Sequence, residues 1–407
     1  MTVAELIVKV YGDDFMLLTK NLFIFCTALL LIAFSNNSWS NDRLAITYAS
    51  FDSNGFNNFK SVVAFYKALG FKRISLVPTY YHEHLNEIID KQTPSINTIK
   101  ACLTYLIENE FKIVYKPHID PVKYMSNYDI FSSDNASWRV NVGWRGFFDI
   151  DPLGSKQSYY DVVILPILKC LQEIYEQKKH TDQLAPVRLE LGAELMNSMI
   201  RHGDNWHKVA QKTRNFIDSN KLGNFVKLSH NFTHHLEIEE DYLLRMNKAE
   251  KKWLRKYIES LDEVAVSQYM DLTIFASGKQ ASNNNPINSI AEAILFHQQR
   301  FRKLILGEHL KVKSFATIPV HIGEFGIGAG GLKHPNYWEG RKIDKAEQAI
   351  GFAGLLEFLK ICTDLPNEKN LNATIWTVGP AYDIFGFSHP EGLNEPVVNQ
   401  IRQFLRE

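Results

Sequence analysis

The sequence of 407 residues has no excess of charge of either sign, because 45 Lys and Arg side chains balance 45 Asp and Glu side chains. Proteins that hold nucleic acid need a basic surface to neutralise phosphates, so nucleic acid is excluded as the expected partner. Cysteine is scarce, with four residues and no CxxC pair. This excludes a disulfide scaffold, and we expect buried free thiols at Cys102, Cys170 and Cys362.

Several motifs of catalytic chemistry are missing as well. The sequence contains no GxSxG serine-hydrolase elbow, no GxxxxGK[ST] phosphate loop and no HExxH zinc pair. No GxGxxG follows the first predicted strand, where a dinucleotide-binding fold requires it. We therefore expect neither a metal nor a cofactor.

A long hydrophobic run is confined to the N-terminal region. Residues 21–34, NLFIFCTALLLIAF, match the length of a signal-peptide core and are short for a membrane span. Ser38 and Ser40 form the small-x-small pattern of a cleavage site. We expect an export segment over residues 1–40 and a secreted or periplasmic chain over 41–407, without stable membrane association after cleavage. An uncleaved anchor is the alternative.

From residue 44 onward, short apolar and β-branched runs alternate with longer helical patterns. Near-continuous apolar strands separated by helices indicate a parallel sheet covered by helices. Eight such units without a linker predict one α/β domain, a (β/α)8 TIM barrel. A doubly wound open sheet is the alternative fold. The predicted strands are 44–51, 71–81, 111–120, 186–196, 224–232, 264–272, 316–328 and 372–387.

Two of these strands end in a glutamate that follows a glycine closely. Glu194 ends the fourth strand in LELGAELM, and Glu324 ends the seventh in VHIGEFGIG. Barrel active sites lie at the carboxyl ends of the strands, so the two carboxylates can face each other over a cleft. Glycoside hydrolysis needs such a pair, one as proton donor and one as nucleophile or base. A rim ion pair with arginine is the alternative for either residue. Glu190 is expected deeper in the barrel or on the helix side.

An acid/base glutamate after strand four and a nucleophile after strand seven resemble the arrangement of the clan A glycoside hydrolases. KPHID on the third strand, a following WRG segment, GAEL and IGEFG resemble glycoside hydrolase family 113, which contains retaining endo-β-1,4-mannanases. The resemblance covers about residues 44–405. It implies that Glu194 is the acid/base, that Glu324 is the nucleophile, and that the partner is a polysaccharide or oligosaccharide. The chain departs from the commonest clan pattern at Ala193, where asparagine usually precedes the acid/base.

Polar residues at the ends of the third and fifth strands are candidates for substrate contacts. His118 and Asp120 alternate with apolar residues in KPHID, so both can point to one side of the strand. His230 and Asn231 end the fifth strand. We expect sugar binding from these four residues, whereas a catalytic metal held by His118 and Asp120 is the alternative.

Aromatic residues and one long loop complete the predicted site. Tyr269, at the end of the sixth strand, is placed to donate a hydrogen bond to the nucleophile, or is a core tyrosine at the rim. Trp376 on the last strand is where clan members use an aromatic residue to stack on a sugar. Trp144 and Arg145, in the loop that includes residues 137–154, are further candidates for substrate contacts.

Two other functions are compatible with the same fold. One is a barrel hydrolase that acts on a different glycan, because a fold does not specify a substrate. The other is a catalytically silent carbohydrate-binding barrel, which the departure at Ala193 keeps open.

Overall fold

The computed structural model describes most of the chain after residue 41. The export segment expected over residues 1–40 lies outside the described residues, and so do Trp144 and Arg145. No helix in the described part is both long and apolar enough to span a bilayer. The described residues are 42–50, 56–84, 87–89, 94–121, 150–154, 157–178, 184–233, 243–244, 246–269, 272–273, 285–328, 331–332, 344–366, 368, 370–378, 382–387 and 392–407.

Eight parallel strands form a closed barrel, as the alternation of strand and helix patterns predicts. The described strands are β1 (Leu44–Ser50), β2 (Arg73–His84), β3 (Glu87–Ile89), β4 (Lys112–Tyr115), β5 (His118–Pro121), β6 (Val187–Ala193), β7 (Val226–Phe232), β8 (Val264–Gln268), β9 (Val320–Phe325) and β10 (Ala373–Ile375). In the barrel, β1, β2, β4, β6, β7, β8, β9 and β10 pair in that order, and β10 pairs with β1 to close the sheet.

The third strand of the barrel is interrupted. β4 ends at Tyr115, and after Lys116 and Pro117 the chain pairs with β2 again as β5, with His118 opposite Thr79. Proline has no N–H to donate to the ladder, which accounts for a break at this point. The antiparallel strand β3, which pairs with β2, was not predicted from the sequence.

Helices pack around the barrel. The described helices are α1 (Phe59–Leu69), α2 (Ile96–Glu108), α3 (Leu165–Lys178), α4 (Met196–Arg201), α5 (Gly203–Ser219), α6 (Lys248–Ile258), α7 (Pro286–Arg300), α8 (Lys345–Ile361) and α9 (Glu395–Arg406). Two of them have π-helical turns attached, Tyr160–Ile164 before α3 and Phe301–His309 after α7. The short helix α4 directly after the fourth barrel strand was not predicted.

The strands are buried on both faces, which explains their apolar composition. On the outer face of β7, for example, Phe232 packs on Phe301, which follows α7. The outer side chain of β9, Phe325, packs on Phe352 of α8. The three cysteines Cys102, Cys170 and Cys362 are buried free thiols, as expected.

The N-terminal end of the barrel interior is filled by a charged network instead of the branched apolar residues common in such barrels. Arg188 bonds to Glu263 and donates to Asn372 Oδ1 at 3.0 Å. His321 lies 3.0 Å from Glu263. Burial, followed by Arg188, lowers the pKa of His321 to about 4, so this imidazole is neutral at pH 7. The network satisfies these buried charges below the cleft.

Candidate active site

Glu324 reaches the barrel interior because β9 carries one extra residue. Val266 of β8 pairs with Ile322, yet the next residue, Ser267, pairs with Glu324, so Gly323 is left over. An extra residue of this kind bends a strand and redirects the side chains that follow. Since the following side chain, Phe325, packs outward on a helix, Glu324 points inward.

The carboxylate of Glu324 is held by one cation and three other polar side chains. Its Oε1 lies 3.1 Å from Lys116 Nζ, 3.1 Å from His118 Nε2 and 3.5 Å from Asn231 Nδ2. Its Oε2 accepts a hydrogen bond of 2.8 Å from the Tyr269 hydroxyl, as the sequence predicts. A nearby cation and several donors favour the ionised form of a carboxylate. The arrangement therefore favours the ionised form of this buried carboxylate, which a nucleophile requires.

Glu194 also affects the pKa of Tyr269. The pKa of Tyr269 is raised well above 10.0, mainly by burial and then by Glu324, with a further contribution from Glu194. The backbone of Glu194 also bonds to Asn231, whose amide faces Glu324, so the two glutamates lie at the same end of the barrel. The hydroxyl of Tyr269 stays protonated and continues to donate over the whole physiological range of pH.

The backbone at Glu194 has an unusual conformation. Its φ of 57° lies in the left-handed region, which side chains other than glycine rarely adopt. The N–H of Glu194 donates to Asn231 O at 2.8 Å and anchors the turn. Before it, the register of β6 against β7 shifts between Glu190 and Ala193. Strained backbone of this kind is often found at functional sites.

The glycine before each glutamate is needed for space, not for a left-handed backbone. A Cβ on Gly192 would lie 2.8 Å from His230 Cε1, and one on Gly323 would overlap Asn231 Oδ1. Neither glycine has a positive φ. The pattern of glycine before glutamate was therefore a valid signal for close packing at both strand ends.

Trp376 lies close to Glu324 through its contact with His118. Trp376 follows β10, is 8% exposed and stacks on His118 with ring centroids 5.4 Å apart and planes 12° apart. His118 thus joins the tryptophan to Glu324. A tryptophan face at this position suits stacking on a pyranose ring, as the sequence predicts for Trp376.

Asn231 is the polar neighbour of the position where the usual clan asparagine is missing. It pairs in register with Ala193, and its Nδ2 donates to Ser267 Oγ at 2.9 Å as well as facing Glu324. The side chain is fully buried. Asn231 therefore supports the carboxylate directly, a more specific role than the expected sugar contact.

The structure does not bring His230 to this group. Alternation along β7 turns it to the helix side, where its Nδ1 lies 2.9 Å from Tyr257 OH and its ring contacts Trp206. The expected substrate contact does not fit this placement, because His230 and Asn231 are adjacent on a strand and face opposite ways. Asp120 lies on β5 beside Tyr81 and is partly exposed.

Two residues of the site were not predicted from the sequence. Lys116 is buried beneath Glu324, and Glu190 lies 3.7 Å below its ammonium group. Glu190 is thus inside the barrel, the deeper of the two positions expected for it. The signal that could have identified Lys116 is a lysine directly after the apolar strand residues Ile113–Tyr115, at the carboxyl end of the strand, where barrel active sites lie.

Metal ligands are not grouped in the described part of the chain. There, no three His, Cys, Asp or Glu side chains are arranged to hold an ion.

Solved structures with the same fold come from glycoside hydrolase family 113. A complex structure of a β-1,4-mannanase has a TM-score of 0.54 at 13% identity, over 89% of this chain and 98% of the mannanase. A second β-1,4-mannanase structure has a TM-score of 0.53 at 14% identity, over 89% and 99%. The β-mannanase AaManA from Alicyclobacillus acidocaldarius, in complex with ManMIm, has a TM-score of 0.50 at 12% identity, over 91% and 99%. The chain shares its fold with these glycoside hydrolases.

The likeness to family 113 expected from the motifs is therefore confirmed at the level of fold. No family model matches the sequence, and no curated protein matches it either. At sequence identities of 12–14%, the structural likeness shows the fold alone. The activity of this chain has to be argued from its own side chains.

Replacing Gly323 by Ala should damage the site by displacing Asn231. The new Cβ would lie 2.7 Å from Asn231 Cγ and 3.1 Å from Ala265 Cβ. Overpacking of this kind costs about 1–3 kcal/mol of unfolding free energy. Gly223→Ala is the matched control, since its added Cβ meets nothing within 4 Å. Chemical denaturation of both variants tests this, and equal stability of the two would contradict it.

Replacing Tyr269 by Phe should lower activity while the fold is kept. The change deletes the hydrogen bond to Glu324 Oε2, and a hydrogen bond to a charged group contributes about 1.5–3 kcal/mol, or roughly 10-fold to 100-fold in rate. Tyr257→Phe is the control, because its hydroxyl contacts His230 on the helix side. We expect glycan hydrolysis to fall in the first variant only. A loss of activity in Tyr257→Phe alone would contradict the placement of the site at Glu324.

Proposed function

We propose that this protein is a retaining glycoside hydrolase that cleaves β-1,4-linked mannan. One observation carries the proposal. The buried carboxylate of Glu324 is held by Lys116, His118, Asn231 and Tyr269 at the barrel mouth, and Glu194 acts on the same tyrosine. The mannan assignment is supported by the motifs and by the mannanase structures that share this fold.

In the first step, a carboxylate oxygen of Glu324 attacks the anomeric carbon and forms a covalent bond to it. The glycosidic C–O bond breaks, and its electron pair goes to the leaving oxygen. Glu194, which starts as the neutral acid, donates its proton to that oxygen. The products are a glycosyl ester on Glu324, a carboxylate at Glu194 and the released part of the glycan.

In the second step, the same groups work in the opposite direction. The Glu194 carboxylate takes a proton from a water molecule, whose oxygen attacks the anomeric carbon. The bond between this carbon and Glu324 breaks, and its electron pair restores the carboxylate. Glu194 is again protonated, and the configuration at the anomeric carbon is retained. No cofactor takes part in either step.

The remaining residues hold the glycan in place. Trp376 offers a ring face for a pyranose beside Glu324, and it is positioned by its stacking on His118. Asp120 at the end of β5, together with Trp144 and Arg145, contacts sugar units further along the polysaccharide or oligosaccharide.

Release of reducing sugar from a panel of glycans tests the proposal. Purified protein is incubated with β-mannan, glucomannan, cellulose, xylan and chitin, and the Glu324→Gln variant serves as the blank. We expect release from β-mannan and glucomannan by the wild type only. Release from another glycan alone would reassign the substrate. If no glycan of the panel releases reducing sugar but glycan binding is retained, the catalytically silent carbohydrate-binding barrel that Ala193 suggests would be favoured.

Export is part of the proposal, because residues 21–34 match the length of a signal-peptide core. We propose that residues 1–40 direct secretion or transfer to the periplasm and are then removed near Ser40. N-terminal sequencing of the protein recovered outside the cytoplasm tests this. A mature N-terminus close to residue 41 is expected, whereas retention of the apolar run 21–34 in a membrane fraction would contradict it.

A further inference from the structure

Lys116 lies between two buried carboxylates. Its Nζ donates to Gly323 O at 2.6 Å and to Glu324 Oε1 at 3.1 Å. Its third neighbour is Glu190 Oε2, at 3.7 Å, and the side chains of Lys116 and Glu190 are both 0% exposed. An ammonium group has three N–H donors, so one donor remains for Glu190 if the two groups approach by about 0.8 Å, to normal hydrogen-bond length.

Glu190 has no hydrogen bond to offset its burial. Neither of its carboxylate oxygens has a hydrogen-bond partner among the described side chains and backbone. Burial raises the pKa of Glu190 to about 7, Lys116 and Arg188 lower it, and Glu324 raises it. A carboxylate that is buried, unbonded and next to a shared lysine is costly for stability. This cost suggests that Glu190 has a role in a later state of the reaction and not in the free enzyme.

The covalent intermediate supplies such a role. When Glu324 becomes an ester, it loses its negative charge, and Lys116 remains as a buried cation. An uncompensated buried cation is strongly unfavourable. At the same moment the repulsion between Glu324 and Glu190 disappears, so the ionised form of Glu190 becomes more favourable and can pair with Lys116.

Resting on the function proposed above, we propose that Lys116 and Glu190 are positioning residues of the double displacement. Lys116 holds Glu324 ionised in the free enzyme, and the Glu190 carboxylate becomes the counter-ion of Lys116 while Glu324 is esterified. Glu190 forms no bond to the substrate, and the ammonium protons stay on Lys116. The fraction of Glu190 that is protonated in the free enzyme releases its proton to solvent as Glu324 is esterified.

Other charged groups near the pair are already compensated. Arg188, two residues before Glu190 on β6, is bonded to Glu263. His321 of β9 also contacts Glu263 and is neutral at pH 7. Towards the cleft, His118 and Tyr269 face Glu324, and Glu194 acts on that tyrosine. Glu190 is therefore the carboxylate placed to balance Lys116 when Glu324 cannot.

Kinetics of single and double variants of the full chain test the pairing. We expect Glu190→Gln to lower kcat about 10-fold and to leave KM within about twofold, because ground-state binding does not need the counter-ion. Lys116→Met should move the acidic limb of the pH profile of kcat/KM upward by about 1–3 pH units. Lys116→Arg, which keeps the charge, should leave that limb in place. In the Lys116→Met background, Glu190→Gln should have no further effect.

Two results would overturn the proposal. One is a Glu190→Gln variant as active as the wild type. The other is an equal loss from Glu190→Gln with and without Lys116, since independent effects would show that the two residues do not act as a pair. Glu368→Gln is the matched control, because it removes a buried carboxylate that pairs with Arg302 away from the cleft. It should leave the pH profile unchanged.

A readout without substrate separates this inference from the proposed function. A carboxyl group with a pKa of about 7 in the folded chain, against 4.5 in its ordinary state, binds more protons when folded between these two values. Its contribution to stability is present below pH 4.5 and is lost as the pH rises through 7. Glu190→Gln should flatten this decline, and Lys116→Met should extend it to higher pH. An unchanged curve in both variants would reject the buried pair, even if no glycan were hydrolysed.

Discussion

Glu324→Gln is expected to abolish glycan hydrolysis, with kcat lowered by about 10⁴-fold to 10⁶-fold, as when other enzymes lose their nucleophile. The amide is nearly isosteric with the carboxylate but cannot form the covalent ester. Lys116 loses its partner in this variant, and we expect Glu190 to take over the charge, so the fold should be kept. Reducing-sugar release measures the loss, and circular dichroism measures the fold.

The control for this result is a second buried carboxylate. Glu368, which pairs with Arg302, is buried like Glu324 but lies outside the cleft. Glu368→Gln should cost stability and leave kcat within about twofold, because it removes no reacting group. A Glu324→Gln enzyme with turnover within tenfold of the wild type would refute its assignment as nucleophile.

Glu194→Gln is expected to separate the two halves of the reaction. Without a proton donor, hydrolysis of a natural glycan should fall by about 10²-fold to 10⁴-fold. An aryl glycoside with an acidic phenol as leaving group needs no protonation, so the first step should survive. The intermediate should then accumulate, because no base activates water.

Added azide tests this directly. Azide attacks the anomeric carbon without having to lose a proton, so it should restore turnover of the aryl glycoside by Glu194→Gln and give a glycosyl azide. It should do nothing for Glu324→Gln, which never forms the intermediate. Rescue of both variants, or of neither, would contradict the division of roles between the two glutamates. Product analysis by mass spectrometry distinguishes these outcomes.

Much of the site could be predicted because the carboxyl ends of barrel strands, where active sites lie, can be located from the sequence pattern. The paired glutamates were found from the glycines before them, and the structure gives the reason, since a Cβ at Gly192 or Gly323 would meet His230 or Asn231. The bond from Tyr269 to Glu324 was also predicted, because neighbouring strands six and seven end at the same rim.

Other features could not be predicted, because they depend on register. Lys116 and Glu324 are 208 positions apart in the chain, and the extra residue in β9 decides that they meet. His230 shows the opposite case. Strand alternation implies that it and Asn231 cannot both face the cleft. Which of the two faces outward is decided by the contact between His230 and Tyr257 on the helix side, which the sequence does not encode.

The sequence by itself determined the barrel and the two glutamates at its mouth. Apolar runs of strand length that alternate with helical segments permit few other folds, and the carboxyl ends of the strands follow from chain direction. Only the tertiary structure decided which groups hold Glu324, and that a buried Lys116 and Glu190 lie beneath it. These contacts join separate strands through the closed sheet, so their formation depends on register shifts and side-chain direction, which a linear pattern does not encode.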